Sequence, residues 1–520
     1  MSLPPRPGKD ERPARRFMNC PSCHLWSTAP VCQWCDFDAR NAPQSDTPDV
    51  PASRLQRAYT ALRHLIHFDL EEQARLLAYL VKWIVLGAAV GVLAGLASAG
   101  FLVSLDWATK TREAHPWLLF LLPVAGLVVG LGYRYGGGTS AQGNNLIIDE
   151  IHEPTAWIPK RMAPLVYLGT VVTHLFGGSA GREGTAIQMS GSLTDAFNRI
   201  TKLSPDDRRL LLIAAIGGGF GAVFGVPIAG FVFGLEVQAV GRLRYDAVVP
   251  ALTAPIVGDL IVRGLGVTHT ATPHFGAITI TAALLAKVAV AGLAFGLVSI
   301  LFSELTHGIK RVAAAFVSWS PARPFIGGVL VIGLTYAVGS RAYLGLSIPL
   351  ITASLAGGIG VISFAFALKL LFTSVTLGTG FQGGEVTPLF VIGTTLGATL
   401  GHLLGVPIPL MAALGFVAVF AGATNTPLAC TIMGVELFGQ APLVLLAVAC
   451  VVSYVFSSHR GIYSSQRVDT AKGSGLLADG ADGRALTLSV LARQRRLWLP
   501  ARRSGQPPEP SGDSHDDTAD

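Results

Sequence analysis

Charged residues are scarce in this chain of 520 residues. Only 14% of its residues are Asp, Glu, Lys or Arg, whereas soluble domains average about 25%. Between residues 342 and 459 these four types occur at three positions only, which are Lys369, Glu385 and Glu436. Such a stretch argues against an ordinary soluble domain, and each charge kept within it is a functional hypothesis by default.

The chain contains long apolar runs. Residues 83–105 and 114–133 contain no Asp, Glu, Lys or Arg, and about 20 apolar residues are enough to cross a bilayer. Glycine, with 60 residues, is more frequent in membrane helices than in soluble ones. The first 18 residues lack an apolar core, so that no cleavable signal peptide is expected. We predict an all-α polytopic membrane protein.

The formal net charge of +7 does not indicate a nucleic-acid partner, because the basic residues crowd at the two ends of the chain. Positive residues beside membrane spans favour the cytoplasmic side. We therefore expect a multi-pass protein of the cell inner (plasma) membrane with both termini in the cytoplasm. These basic residues are Arg12, Arg15, Arg16, Arg493, Arg495, Arg496, Arg502 and Arg503.

Composition divides the chain into four regions. Residues 1–39 form a predicted head, and residues 40–75, rich in Pro, Asp, Ser and Ala at their start, form a linker and the approach to the membrane. Residues 76–468 form the transmembrane domain. The polar tail, residues 469–520, is expected to be cytoplasmic and disordered.

The transmembrane region contains an internal repeat. Residues 222–237 (AVFGVPIAGFVFGLEV) align with residues 422–437 (GATNTPLACTIMGVEL) at an offset of 200, and a second alignment upstream has an offset of 202. Weak symmetry of this kind marks transporters built from two related halves. The expected halves cover about 76–265 and 277–468, and the repeat alone does not reveal whether one is inverted.

Proline recurs in the second half, notably at Pro388, Pro407, Pro409, Pro427 and Pro442. Broken helices at membrane depth occur only where protein or a cavity surrounds them. The N-terminus of each such helix exposes unpaired N–H groups that carry partial positive charge, which suits an anion.

The first candidate motif is GNNLI, residues 143–147. Asn144 can cap a helix or donate its amide hydrogens to an anion. A plain loop with a helix cap remains the alternative for this motif.

The second motif is SAGREGTAIQMSG, residues 179–191, in which Gly181 and Gly184 flank Arg182 and Glu183. Glycine lets a backbone approach a ligand closely. A carboxylate at such a helix start competes with an anion for the same donors and releases them when it is protonated. Glu183 is therefore a candidate gate and proton carrier; the alternative is a capping carboxylate paired with Arg182.

Two further motifs lie in the second half. In GTGFQGGEVTPLFVIG, residues 378–393, two glycines precede Glu385, and Thr387 with Pro388 starts a helix; a structural break with a capping acid is the alternative. In RGIYSSQ, residues 460–466, Tyr463 offers a hydroxyl. A tyrosine at a membrane edge is otherwise an interface anchor.

The head has its own signal in two Cys-x-x-Cys pairs separated by eight residues. Four thiolates with paired spacing suit tetrahedral zinc, and we expect a structural zinc ion there. Redox pairs or unused thiols are the alternatives, although a cytoplasmic location disfavours structural disulfides. The predicted zinc ligands are Cys20, Cys23, Cys32 and Cys35.

Together these motifs resemble the CLC family of chloride channels and anion/proton antiporters, over roughly residues 80–468. The family order of GSGIP, GREGP, GxFxP and a late Tyr is matched here by GNNLI, GREGT, GFQGGEVTP and Tyr463. The resemblance implies a homodimer with one pore per subunit, an inverted-repeat helical fold and no organic cofactor. It also implies that Glu183 is the gating glutamate at the outer side and that the Tyr463 hydroxyl contacts the central anion.

Three departures from the family pattern are informative. Asn144 replaces the serine of GSGIP, Thr185 replaces the proline of GREGP, and Glu385 is an extra acid. This set resembles the bacterial branch that exports fluoride against inward protons and uses the extra glutamate in coupling. Fluoride is small and strongly hydrated, and an amide NH₂ offers two directed donors. The residues expected to contact the anion are Asn144, Gly181, Gly184, Thr185, Val386, Thr387 and Tyr463.

Val237 occupies the position where chloride/proton antiporters of the family carry an inner proton glutamate. The resemblance therefore favours a fluoride/proton antiporter over a chloride channel or chloride/proton antiporter, which remains the alternative. A different class, an anion-responsive membrane sensor that acts through the cysteine head, is the third hypothesis. The expected partners are fluoride or chloride, protons, membrane lipid and a second copy of the chain, and no enzyme activity is expected.

Overall fold

A computed structural model describes residues 18–19, 26–27, 70–358, 360–470, 472, 486–488 and 490. The chain divides into two units, Met1–Ala74 and Arg75–Asp520. In the first unit, strands β1 (Met18–Asn19) and β2 (Trp26–Ser27) pair antiparallel. The predicted zinc ligands Cys20, Cys23, Cys32 and Cys35 lie outside the described residues.

The rest of the described chain is mostly helical. The helices of the first half are α1 (Leu70–Ala114), α2 (Leu122–Gly132), α3 (Asn144–His152), α4 (Met162–Leu175), α5 (Glu183–Thr201), α6 (Pro205–Phe224), α7 (Pro227–Glu236) and α8 (Val248–Gly264). Those of the second half are α9 (Ala282–Phe316), α10 (Ala322–Val338), α11 (Ile348–Leu355), α12 (Ala365–Gly378), α13 (Val386–Leu404), α14 (Ile408–Thr424), α15 (Pro427–Phe438) and α16 (Leu443–Phe456). Short 3₁₀ or π turns cover Pro116–Leu121, Tyr133–Gly137, Gly138–Gln142 and Tyr245–Ala247.

Local sequence explains where several helices begin and end. Pro227 and Pro427 open α7 and α15 at matching positions of the repeat, because proline suits a first helical turn and lacks the N–H that would be unpaired there. The hydroxyl of Ser204 caps α6 by accepting from the amide of Asp207 at 3.1 Å. Gly225 ends α6 with φ of 77°, a left-handed conformation that glycine adopts without strain.

Five helical segments of the described chain are long and apolar enough to cross a membrane: Glu71–Ala114, Pro116–Gln142, Tyr245–Gly264, Ala282–Phe316 and Val386–Leu404. The first four are mostly exposed within the structure, whereas 78% of the apolar window of the last, α13, is buried. The helix that carries the third motif is therefore surrounded by protein.

The repeated segments contact each other through reciprocal carboxylate caps. Glu236, the last residue of α7, accepts from the amides of Leu428 and Ala429 at 3.1 and 2.8 Å. Glu436, near the end of α15, accepts from the first-turn amides of α7 at 2.9 and 2.7 Å. Helices α7 and α15 are thus antiparallel, and a two-fold rotation perpendicular to them exchanges the two caps. Each carboxylate satisfies N–H groups that the helix itself leaves unpaired.

A small sheet holds the segment that carries Tyr463. Strand β4 (Arg467–Val468) pairs parallel with β3 (Ala239–Val240) and antiparallel with β5 (Leu486–Thr487). Beside it, the buried amide of Gln466 donates to the carbonyls of Val237 and Thr424 at 2.7 and 3.0 Å. These bonds fix the residues just after Tyr463 against the ends of α7 and α14.

Candidate anion site

The two glycine-containing loops of the repeat meet in the interior. Gly181 and Gly384 form an antiparallel bridge, with N···O distances of 2.6 and 2.9 Å. A methyl group on Gly181 would lie 2.8 Å from Cδ of Pro388 and 2.9 Å from the carbonyl oxygen of Gly384. Only glycine allows this approach, and it brings the N-termini of α5 and α13 together.

Glu183, the first residue of α5, is fully buried and lies against the N-terminus of α13. Its carboxylate accepts from the Thr387 amide at 3.0 Å and from the Thr387 hydroxyl at 2.6 and 2.8 Å. The amide of Arg182 donates to it at 3.2 Å, and Arg182 Nε lies 3.4 Å away. The carboxylate therefore occupies donors of a helix N-terminus that would equally hold a free anion.

Asn144 opens α3 on the other side of Gly184. Its side chain is buried, its Nδ2 lies 3.1 Å from where a methyl group on Gly184 would be, and its Oδ1 has no hydrogen-bond partner in the described part of the chain.

Glu385 and Tyr463 complete the surroundings of Gly184. Glu385 precedes α13, is half-buried, and has an Oε2 3.7 Å from the same methyl position. Tyr463 is buried, and its hydroxyl has no hydrogen-bond partner among the described residues. Ser465, two residues after Tyr463, donates its amide to the side-chain oxygen of Asn145 at 3.0 Å, so that the Tyr463 segment lies beside the start of α3. Three helix N-termini, two acids and an unpaired hydroxyl thus surround one region.

Two of the predicted anion-contacting residues point elsewhere with their side chains. The hydroxyl of Thr185 lies 2.8 Å from the hydroxyl of Thr170 on α4. Val386 is fully buried in the main hydrophobic core. If either residue contacts an anion in this arrangement, the contact is made by its backbone.

A cavity of about 610 Å³ opens beside the site and is rich in positive charge. Its ionisable lining residues are Lys110, Arg112, Arg182, Arg341, Asp106 and Glu113. A smaller pocket of about 50 Å³ shares Arg182, Thr270 and Ile348 with this cavity and reaches Thr387. Since Thr387 holds the Glu183 carboxylate, the cavity leads towards the point at which that carboxylate blocks the α13 N-terminus.

Lys369 is a functional candidate to which no sequence motif assigned a role. The signal for it was its position in a stretch of sequence with almost no charged residues. Its buried ammonium donates to the Ser179 hydroxyl at 3.0 Å, the Gly345 carbonyl at 2.7 Å and the Ser347 hydroxyl at 2.9 Å. Ser179 belongs to the loop that leads into Glu183. These hydrogen bonds fix that loop beside the site.

The helices are short and interrupted, and several of their N-termini converge on a buried polar region. This arrangement is typical of a helical transport protein for small anions. The voltage-gated chloride channel family model matches residues 124–458. The chain therefore belongs to the voltage-gated chloride channel, or CLC, family, a family of channels and transporters and not of enzymes.

Individual relatives agree with this assignment. The chain is 49% identical over 411 residues to the chloride/fluoride channel protein of Pseudomonas syringae pv. tomato, covering 78% of this chain and 90% of that protein. It is 26% identical to the H(+)/Cl(-) exchange transporter ClcA of Yersinia pestis, over 73% of this chain and 85% of the relative. Both relatives are named as anion-transport proteins.

Solved structures agree as well. The crystal structure of a CLC-type fluoride/proton antiporter superimposes with a TM-score of 0.73 at 34% identity, covering 75% of this chain and 98% of that one. A slow cyanobacterial Cl⁻/H⁺ antiporter has a TM-score of 0.61 at 20% identity, over 73% and 93% of the two chains, and supports the fold alone. The predictions of CLC-type membership and of anion transport are confirmed.

Proposed function

We propose that this chain is a fluoride/proton antiporter that exports fluoride against inward protons. The observation that carries the proposal is the Glu183 carboxylate seated on the amide and hydroxyl of Thr387. A group that is an anion when ionised and leaves the donors when protonated links anion access to proton binding. The likeness to a solved fluoride/proton antiporter at 34% identity supports fluoride as the anion.

The donors around the site support a strongly hydrated anion. Asn144 offers an amide at the start of α3, and Thr387 offers both a hydroxyl and an amide at the start of α13. Fluoride gives up its hydration only to strong, directed donors. We assign the central contact to the Tyr463 hydroxyl, with backbone contributions from Gly181, Gly184, Thr185 and Val386.

Glu385 is proposed to share the proton with Glu183. Both carboxylates lie near Gly184, and Val237, which replaces the inner acid of the chloride/proton antiporters, is buried and has no ionisable group. The name of the Pseudomonas relative, a chloride/fluoride channel protein, keeps uncoupled or chloride transport as the competing function.

Several further features are proposed on sequence grounds. The working form is a homodimer in the bacterial inner membrane with both termini in the cytoplasm. Residues 1–39 hold a structural zinc ion through four cysteines, residues 40–75 link this head to the transmembrane domain of residues 76–468, and residues 469–520 form the tail. The third hypothesis, a sensor acting through the head, requires a site that binds anions without moving them.

Purified protein in liposomes loaded with fluoride or chloride tests these functions. The antiporter releases fluoride much faster than chloride, and fluoride release drives proton uptake that a pH electrode records. Equal chloride release contradicts fluoride selectivity, and release without proton movement indicates a channel. Binding without release of either anion favours the sensor.

A further inference from the structure

One face of α5 carries a row of buried polar side chains. Ser190, Thr194 and Asn198 are each four residues apart and therefore lie on one side of the helix. All three are fully buried. The hydroxyls of Ser190 and Thr194 and both polar side-chain atoms of Asn198 have no hydrogen-bond partner among the described residues. A buried polar group left unpaired costs about 1–3 kcal/mol, so that such a row demands an explanation.

Several hydroxyls elsewhere in the described helices are paired, although the buried hydroxyl of Ser354 on α11 also has no partner among the described residues. Thr395 and Thr424 each donate to the carbonyl four residues earlier, at 2.7 and 2.8 Å. On α5 itself, Ser192 lies on another face and donates to the carbonyl of Pro159 at 2.9 Å. The unpaired state thus belongs to one face of α5 and not to its serines and threonines in general.

The row runs between charged groups at both ends. Its far end adjoins a buried cluster in which Arg208 donates to Asp195 at 2.6 Å and to Glu150 at 3.1 Å. Two carboxylates and one guanidinium give this cluster a net negative charge. At the other end the same face of α5 continues through Ile187 to Glu183, about 10 Å from Ser190 at 1.5 Å per residue.

The neighbouring helix α6 lies closest to α5 beside Ala186 and Ile187, between Glu183 and Ser190. A methyl group on Gly219 of α6 would lie 2.8 Å from the Ala186 carbonyl oxygen and 3.0 Å from Cα of Ile187. Helices α5 and α6 therefore approach closely next to Glu183. Farther along, Leu211 and Ala215 of α6 are fully buried in an apolar cluster with Trp83 and Val90.

We propose that this face of α5 holds water molecules beside Ser190, Thr194 and Asn198, and that they carry protons from the Glu150–Asp195–Arg208 cluster towards Glu183. The inference rests on the proposed antiport, which needs a proton route in a chain with Val237 at the inner-acid position. Hydroxyl and amide groups both donate and accept, so they can hold single waters in line, and buried waters usually make about three such bonds.

The presence of water beside these three side chains can be tested without a transport assay. X-ray hydroxyl-radical labelling of the full chain in lipid nanodiscs, read by mass spectrometry, modifies side chains next to bound water. We expect labelling at Ile187, which is buried on the same face next to Ser190, and its loss in the double variant Ser190→Ala/Thr194→Val. The matched control Ser192→Ala removes a paired hydroxyl and should keep the labelling. Unlabelled Ile187 in the unaltered protein overturns the proposal.

The proton role is tested in fluoride-loaded liposomes. We expect the double variant to keep fluoride release but to lose proton uptake severalfold per fluoride, whereas Ser192→Ala keeps both. Thr194→Ser retains the hydroxyl and should keep coupling; this separates a relay from packing and also serves if the double variant does not fold. Undiminished coupling in a folded double variant overturns the inference alone. Fluoride release without proton uptake in the unaltered protein contradicts the antiport and the relay together.

Discussion

Replacing Glu183 by Gln tests whether this carboxylate competes with the anion. In the structure the carboxylate accepts from the amide and the hydroxyl of Thr387 at 3.0 and 2.6 Å. Hydrogen bonds to a charged group contribute about 1.5–3 kcal/mol, and those between neutral groups about 0.5–1.5 kcal/mol. Glu183→Gln therefore weakens the closed position by roughly 1 kcal/mol for each bond, or about 2 kcal/mol in all.

That difference has a measurable consequence for fluoride binding. A competitor weakened by about 2 kcal/mol raises the apparent affinity of the anion about thirtyfold, since 1.4 kcal/mol corresponds to tenfold. Isothermal titration calorimetry of fluoride with the purified protein in detergent measures the change in Kd. Glu183→Gln should also abolish fluoride-driven proton uptake in liposomes, because the amide carries no proton.

A matched control makes the result interpretable. Glu236 is also a buried carboxylate that accepts two backbone amides at a helix N-terminus, those of Leu428 and Ala429. Glu236→Gln makes the same chemical change away from the site and should leave the fluoride Kd unaltered. An unchanged Kd in Glu183→Gln, or undiminished proton uptake, refutes the competition between carboxylate and anion.

Four further outcomes follow from the site and the fold. Glu385→Gln should reduce proton uptake per fluoride in liposomes while fluoride release continues; full coupling would remove Glu385 from the proton route. Asn144→Ser should lower the ratio of fluoride to chloride release, because one hydroxyl replaces two amide donors, and an unchanged ratio would contradict its role in selectivity. Glu236→Gln should lower the melting temperature in detergent, since two charge-assisted bonds weaken by roughly 1 kcal/mol each; an unaltered melting temperature would show that the cap is dispensable. Cys20→Ser in the full chain should reduce the zinc content measured by atomic emission from about one ion per chain, as one four-thiolate site requires, and a metal-free unaltered protein would contradict the zinc head.

The repeat shows which features of the fold the sequence pattern predicts and which it does not. The aligned Glu236 and Glu436 of the repeat indicated duplication, but not that each carboxylate caps the helix of the other half. That contact joins residues about 200 positions apart, and sequence periodicity reports only on neighbours along the chain. Likewise Thr185 and Thr387 align in the repeat, yet Thr387 binds Glu183 whereas Thr185 bonds to Thr170.

The unpaired polar face of α5 is a second feature that the sequence pattern did not predict. Ser190, Thr194 and Asn198 stand four residues apart in the printed sequence, and this spacing alone is equally typical of a solvated helix face. Their burial and their lack of partners depend on the packing of α6 and of the Arg208 cluster.

The sequence by itself determined the membrane class, the repeat, the glycine-flanked acid Glu183 and the departures at Asn144 and Glu385. These are properties of composition and local motif, because hydropathy and the conformational freedom of glycine depend on each residue and its neighbours along the chain. Only the tertiary structure decided which donors the Glu183 carboxylate takes, since the α13 N-terminus reaches it across a bridge between Gly181 and Gly384. Hydrogen-bond partners depend on distances in three dimensions. Glu183 and Thr387 come within bonding distance only when both halves have folded together.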